Sequence, residues 1–80
     1  MKLPRSVGGD GLVRALARVG YTPTCQSGSH VRLTTDRGGD HHVSVPLHAA
    51  LRPGTLASIL ADVSDHLGLT RDELLRRLDL

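Results

Sequence analysis

The tripeptide Gly28-Ser29-His30 opens the stretch Gly-Ser-His-Val-Arg-Leu-Thr and sets an imidazole at the start of a predicted strand. Strand side chains alternate faces, so Val31 and Leu33 point to one side while His30, Arg32 and Thr34 point to the other. A histidine changes charge near neutral pH and can give or take a proton there. With Arg32 on the same polar face, the combination suggests chemistry rather than packing. The plainer reading is a solvated strand, since His30 is one of five histidines in the chain.

The element that must position His30 is a hairpin. Two predicted strands, about Ser29 to Thr35 and His41 to Pro46, are joined by Asp36-Arg37-Gly38-Gly39-Asp40, a strong turn signal. A hairpin symmetric about Gly38 sets Thr34 opposite His42, Arg32 opposite Ser44 and His30 opposite Pro46. Val31 and Leu33 then share the other face with Val43 and Val45, so one register satisfies both faces. His48 emerges just beyond Pro46. His41 starts on the apolar side and is expected to fray at the turn.

Around the hairpin the periodicity changes. Leu12, Leu16 and Val19, widened by Val13 and Ala17, predict a helix from about Gly9 to Val19 that Gly20 stops. Arg14 and Arg18 lie on its outer side. Tyr21 to Gln26 reads as a short edge strand because it contains Pro23. A second helix with Leu56, Ile59, Leu60 and Val63 as its buried stripe is expected to start at Thr55 as N-cap and to end near Leu67 before Gly68. Thr70-Arg71-Asp72-Glu73 matches a capping box that opens a short last helix, whose Leu74, Leu75 and Leu78 serve as core or as a partner surface.

Composition narrows the choices. At 80 residues the chain is one domain, with a core over about residues 1–68 and an extra helix over about 70–79. One tyrosine and no Phe or Trp exclude a row of aromatic platforms for stacking unpaired bases, so any nucleic acid must be held by backbone phosphates and shape. Residues 1–52 carry seven Lys or Arg against three Asp or Glu, while residues 53–80 carry three against five. The first part could therefore face phosphates, and the last part is better suited to a protein partner. One cysteine cannot make an internal disulfide, so Cys25 is expected to be a small apolar filler in a reducing compartment. A polar start and the lack of a long apolar run point to a cytoplasmic protein without membrane contact.

Several separated motifs carry a resemblance. Gly20-Tyr21, Gln26-Ser27-Gly28-Ser29-His30, Val43-Ser44-Val45-Pro46-Leu47-His48, and Leu51-Arg52-Pro53-Gly54-Thr55-Leu56 with Ser58-Ile59-Leu60 are similar to the HicA toxin family, also described as YcfA-like. The resemblance covers about residues 1–60. It implies an α+β fold like the double-stranded-RNA-binding domain, in the order α-β-β-β-α, with a three-stranded antiparallel sheet and helices packed on one face. It also implies a metal-independent endoribonuclease, an mRNA interferase, neutralised by a cognate HicB-like antitoxin. The family's catalytic histidine lies in its Gly-Ser-His motif, which is His30 here. Family members often carry basic residues around the preceding glutamine, whereas this chain has Cys25 and Ser27, and it continues beyond the second helix with a leucine-rich, acidic segment.

Metal-independent RNA cleavage needs a base for the ribose 2′-OH, an acid for the departing 5′ oxygen and positive charge at the phosphorane. His30 can be base or acid, and Arg32 can steady the phosphate. Ser29 and the amides near Gly28 can bind phosphate, and Lys2, Arg5 or Arg14 can hold the RNA backbone. His48 is the better second proton-transfer group, because His42 lies on the order of 13 Å from His30 at strand rise. No cofactor is implied.

Other readings are a non-catalytic RNA- or DNA-binding module of the same fold and an adaptor that uses the Leu74, Leu75 and Leu78 surface. A metal site at His41, His42 and His48 is disfavoured, because adjacent strand residues face opposite ways.

Overall fold

The computed structural model describes residues 6–80, so Lys2 and Arg5 lie outside the described residues. The chain runs through α1 (Gly9–Leu16), a 3-10 turn (Ala17–Val19), β1 (Thr22–Ser27), β2 (His30–Thr35), β3 (His41–Pro46), α2 (Pro53–Leu67) and α3 (Arg71–Leu78). The strands form one antiparallel sheet in the order β1-β2-β3. This is the expected α+β, α-β-β-β-α order of a double-stranded-RNA-binding-like fold, with a further helix behind it.

The β2–β3 register is the one that burial on one face demands: His30 lies opposite Pro46, Arg32 opposite Ser44 and Thr34 opposite His42. Val31, Leu33, Val43 and Val45 are buried in one core with Leu12 and Leu16 of α1, Leu60 and Val63 of α2, and Leu74, Leu75 and Leu78 of α3. Helices α1 and α2 thus cover one face of the sheet, and α3 packs against α2 and the 3-10 turn. His30, Arg32, His42 and Ser44 remain exposed on the other.

Each helix ends by local chemistry. At the 3-10 turn, Gly20 takes φ +98° and the Tyr21 N–H donates to Leu16 O at 3.1 Å. At α2, Gly68 takes φ +69° and the Leu69 N–H donates to Ser64 O at 2.9 Å. Both are Schellman closures. The capping box opens α3 as expected, with the Glu73 N–H donating to Thr70 Oγ1 and the Thr70 N–H to Glu73 Oε1, both at 3.1 Å. The bond from the Thr70 N–H, followed by the Thr70 hydroxyl beside it, holds the Glu73 carboxyl below its ordinary range.

Three expectations change. Helix α2 opens at Pro53 rather than after Thr55, because proline's fixed φ suits the first helical position and needs no capping side chain; Arg52 is the N-cap. Cys25 is exposed rather than an apolar filler, since it sits on an edge strand whose residues are all exposed. Leu74, Leu75 and Leu78 are at most 1% exposed, so the adaptor reading loses its surface. No helix among the described residues is long and apolar enough to cross a membrane.

Candidate active site on the open sheet face

His30 is placed by two backbone devices. Gly28 and Ser29 form a two-residue turn between Ser27 and His30, which are paired in the β1–β2 ladder. Gly28 takes φ +58° and Ser29 does not take a positive φ, the pattern of a type II′ turn that favours glycine at its first central position. A Cβ on Gly28 would meet no atom within 4 Å, so the constraint is conformational rather than steric.

The second device fastens the end of β3 to the turn. The Leu47 N–H donates to Ser29 O at 2.6 Å, and the Gly9 N–H donates to His48 O at 3.0 Å. Helix α1 can come this close only because residue 9 is glycine: a Cβ there would lie 2.0 Å from Pro46 O. His48 therefore follows directly on the anchored Leu47, exposed at the His30 end of the sheet.

The polar side chains differ in how they are held. Among the described residues His30 has no hydrogen-bond partner and Arg32 has no carboxylate partner. His42 is engaged: its Nδ1 shares a hydrogen bond with Thr34 Oγ1 at 2.8 Å, and Thr34 Oγ1 bonds Thr24 Oγ1 at 2.9 Å. Arg14 is not on this face. It sits on α1, across the sheet from Arg32, with its guanidinium 3.0 Å from Asp10.

A second cluster lies at the opposite end of the sheet. His41 is not frayed; its register puts it on the face of Val43 and Val45, where it meets the buried Tyr21. The Tyr21 hydroxyl donates to His41 Nδ1 at 2.7 Å, and His41 Nε2–H donates to Asp62 Oδ1 at 3.1 Å. The His41 ring also stacks on His66 at 4.2 Å between centroids. His66 Nε2–H donates to the carbonyls of Arg37 (2.8 Å) and Gly39 (3.0 Å), clamping the β2–β3 loop. Burial, helped by the Asp62 charge, pushes the Tyr21 hydroxyl up to about 12. The sequence signals for this cluster were the face parity of His41 and the four-residue spacing of Asp62 and His66 on α2. Among the described residues no three His, Cys, Asp or Glu side chains gather as a metal-ligand set.

The family model for the HicA toxin of bacterial toxin-antitoxin systems matches residues 9–64. The chain belongs to the HicA toxin family. It is thus a toxin of a toxin-antitoxin system, and membership implies an antitoxin partner. No curated protein and no solved structure matches it. The HicA match takes in all three strands, with His30, Arg32 and His48, and stops inside α2. Helix α3 lies outside the matched span, yet its leucines complete the same core.

Proposed function

We propose that this HicA protein is a metal-independent endoribonuclease that cleaves mRNA with His30 and is neutralised by a HicB-type antitoxin covering the open sheet face. The observation that carries the reading is an exposed imidazole with no internal hydrogen bond, on the same strand face as a guanidinium with no carboxylate partner among the described residues.

In the proposed reaction a His30 ring nitrogen takes the proton from a ribose 2′-OH. The 2′ oxygen then attacks the adjacent phosphorus, and the bond to the 5′ oxygen breaks. Arg32 neutralises charge on the non-bridging oxygens, while Ser29 and the amides at Gly28 hold the phosphate in place. His48 returns a proton to the departing 5′ oxygen. Lys2 and Arg5 lend further phosphate contacts, whereas Arg14 belongs to the helical layer and its ion pair.

The test is incubation of the purified protein with end-labelled RNA in EDTA, comparing wild type with His30→Ala. Scission by the wild type and none by the variant is the expected result. Equal cleavage by both would remove His30 from the mechanism. Binding without scission in either would leave the non-catalytic module as the reading. Adding the antitoxin in saturating amount is expected to abolish cleavage, and undiminished activity in the complex would sink the proposed cover.

A further inference from the structure

A pocket of about 350 Å³ opens at the far end of the molecule from His30, lined by Arg18, Val19, Arg37, Leu67, Leu69 and Arg77. Its arginines come from three places: the 3-10 turn, the β2–β3 loop and α3. Strand β2 alone separates His30 from Thr35 by roughly 17 Å at strand rise, and Arg37 lies beyond that. The pocket is therefore independent of the proposed nuclease face. It is also built across the boundary of the family match, since Leu67, Leu69 and Arg77 follow residue 64.

The arginines are not consumed by the fold. Arginines near helix ends often serve the last carbonyls. Here backbone amides bond Leu16 O, Ala17 O, Ser64 O, Asp65 O, Leu75 O and Arg76 O. The Asp79 carboxylate stands 3.9 Å from Arg18, too far for a hydrogen bond. Arg37 has no carboxylate partner among the described residues, and Arg77 interacts with the exposed Glu73 carboxylate one turn before it on α3.

Arg37 is also held in position. Its N–H donates to Thr35 Oγ1 at 3.1 Å and its carbonyl accepts from His66. Its side chain lies across Gly20, where a Cβ would come within 2.6 Å of Cδ and Nε. The exposed guanidinium is thus carried on an anchored backbone and a stem laid against Gly20, which limits the freedom it loses on meeting an anion.

We propose that this pocket binds an acidic peptide segment of a partner protein, with a carboxylate on Arg37 and Arg77 and a neighbouring aliphatic side chain on Val19, Leu67 and Leu69. Charge complementarity selects the carboxylate, and guanidinium binds it in bidentate fashion. The aliphatic floor selects peptide over RNA: a phosphate backbone would leave Leu67 and Leu69 uncovered, and the pocket has no aromatic ring for a base. The volume is at the small end for ligand pockets, enough for one or two side chains. His66 acts here as a positioning residue, through the Arg37 carbonyl.

The test is selection of a random eight-residue peptide library against the full-length protein, followed by affinity measurement on single peptides. Enrichment of Asp or Glu within two positions of Leu, Ile or Val is expected. Arg37→Gln and Arg77→Gln should each weaken the selected peptides about tenfold, and Arg32→Gln should not. His66→Ala should weaken them about threefold, and His66→Asn, whose amide can still donate to the loop carbonyls, should recover most of that loss. Both arginine variants should cleave RNA as the wild type does. No acidic enrichment, or equal binding by the arginine variants, would overturn the proposal. So would loss of labelled-oligoribonucleotide binding in those variants, which would make the pocket an RNA contact.

Discussion

The two ends of this sheet hold their histidines in opposite ways. At the β1–β2 turn, His30 is exposed and makes no hydrogen bond to the described residues. At the β2–β3 turn, both nitrogens of His41 are bonded, its ring is stacked on His66, and His66 in turn clasps the loop backbone. A ring whose nitrogens are satisfied within the fold contributes to stability and is withheld from solution chemistry. A ring with free nitrogens contributes little to the fold and is open to a substrate. Histidines on one hairpin thus divide into structural and chemical ones by their partners, not by their type.

The sharpest way to break this contrast is at the free ring. His30→Ala is expected to lower RNA cleavage by about 10²- to 10⁴-fold, the range for a general acid–base group. Its stability should stay within about 0.5 kcal/mol of wild type, as for an exposed position. A large drop in melting temperature would mean that His30 belongs to the fold after all.

The opposite end is tested by alkali. Tyr21 is the only tyrosine, so tyrosinate absorbance reports this residue alone, and the midpoint is expected at about 12. A folded pKa above the unfolded one gives stability that is complete below about pH 10 and declines as pH rises toward 12. A midpoint near 10 in the folded protein would show the hydroxyl to be free.

His41→Ala should cost about 1–3 kcal/mol, because the buried Tyr21 hydroxyl loses its acceptor. Thermal denaturation should record this as a drop of roughly 5–15 °C, with cleavage per folded molecule unchanged. Loss of cleavage in the folded variant would place chemistry at both ends.

The smallest effect belongs to the cap of α3. Thr70→Ala should cost about 1 kcal/mol, confined to stability and measurable by denaturant titration. Because the Glu73 carboxyl is held below its ordinary range, its contribution is present above the usual carboxylate pKa and is lost as pH falls through the depressed one. The Thr70→Ala protein should therefore lose less stability between neutral and acid pH than wild type does.

Much of the fold was legible because local rules agreed with one another. The alternation of Val31, Leu33, Val43 and Val45 allowed one register, and the glycines at 20 and 68 stopped helices where left-handed closures form. At the start of α2 a capping rule for Thr55 competes with Pro53 at the first helical position, and the proline prevails. Cys25 and His41 depart from local expectation for a common reason: neighbours distant in sequence decide their surroundings. An edge strand left Cys25 exposed, and Tyr21, Asp62 and His66 converged on a ring that looked like a fraying strand end.

From the sequence alone came the strand register, the helix stops, the polar face that carries His30 and Arg32, and the family. These depend on periodicity, turn chemistry and motif spacing, all properties of short stretches of chain. Tertiary structure alone decided that Arg14 stands across the sheet from Arg32, that Gly9 admits α1 against Pro46, that His41 is bound while His30 has no partner among the described residues, and that three arginines from separate elements share one pocket. The physical reason is that partners and burial are set by contacts between distant segments, and only packing the helices into one layer on one side of the sheet brings those segments together.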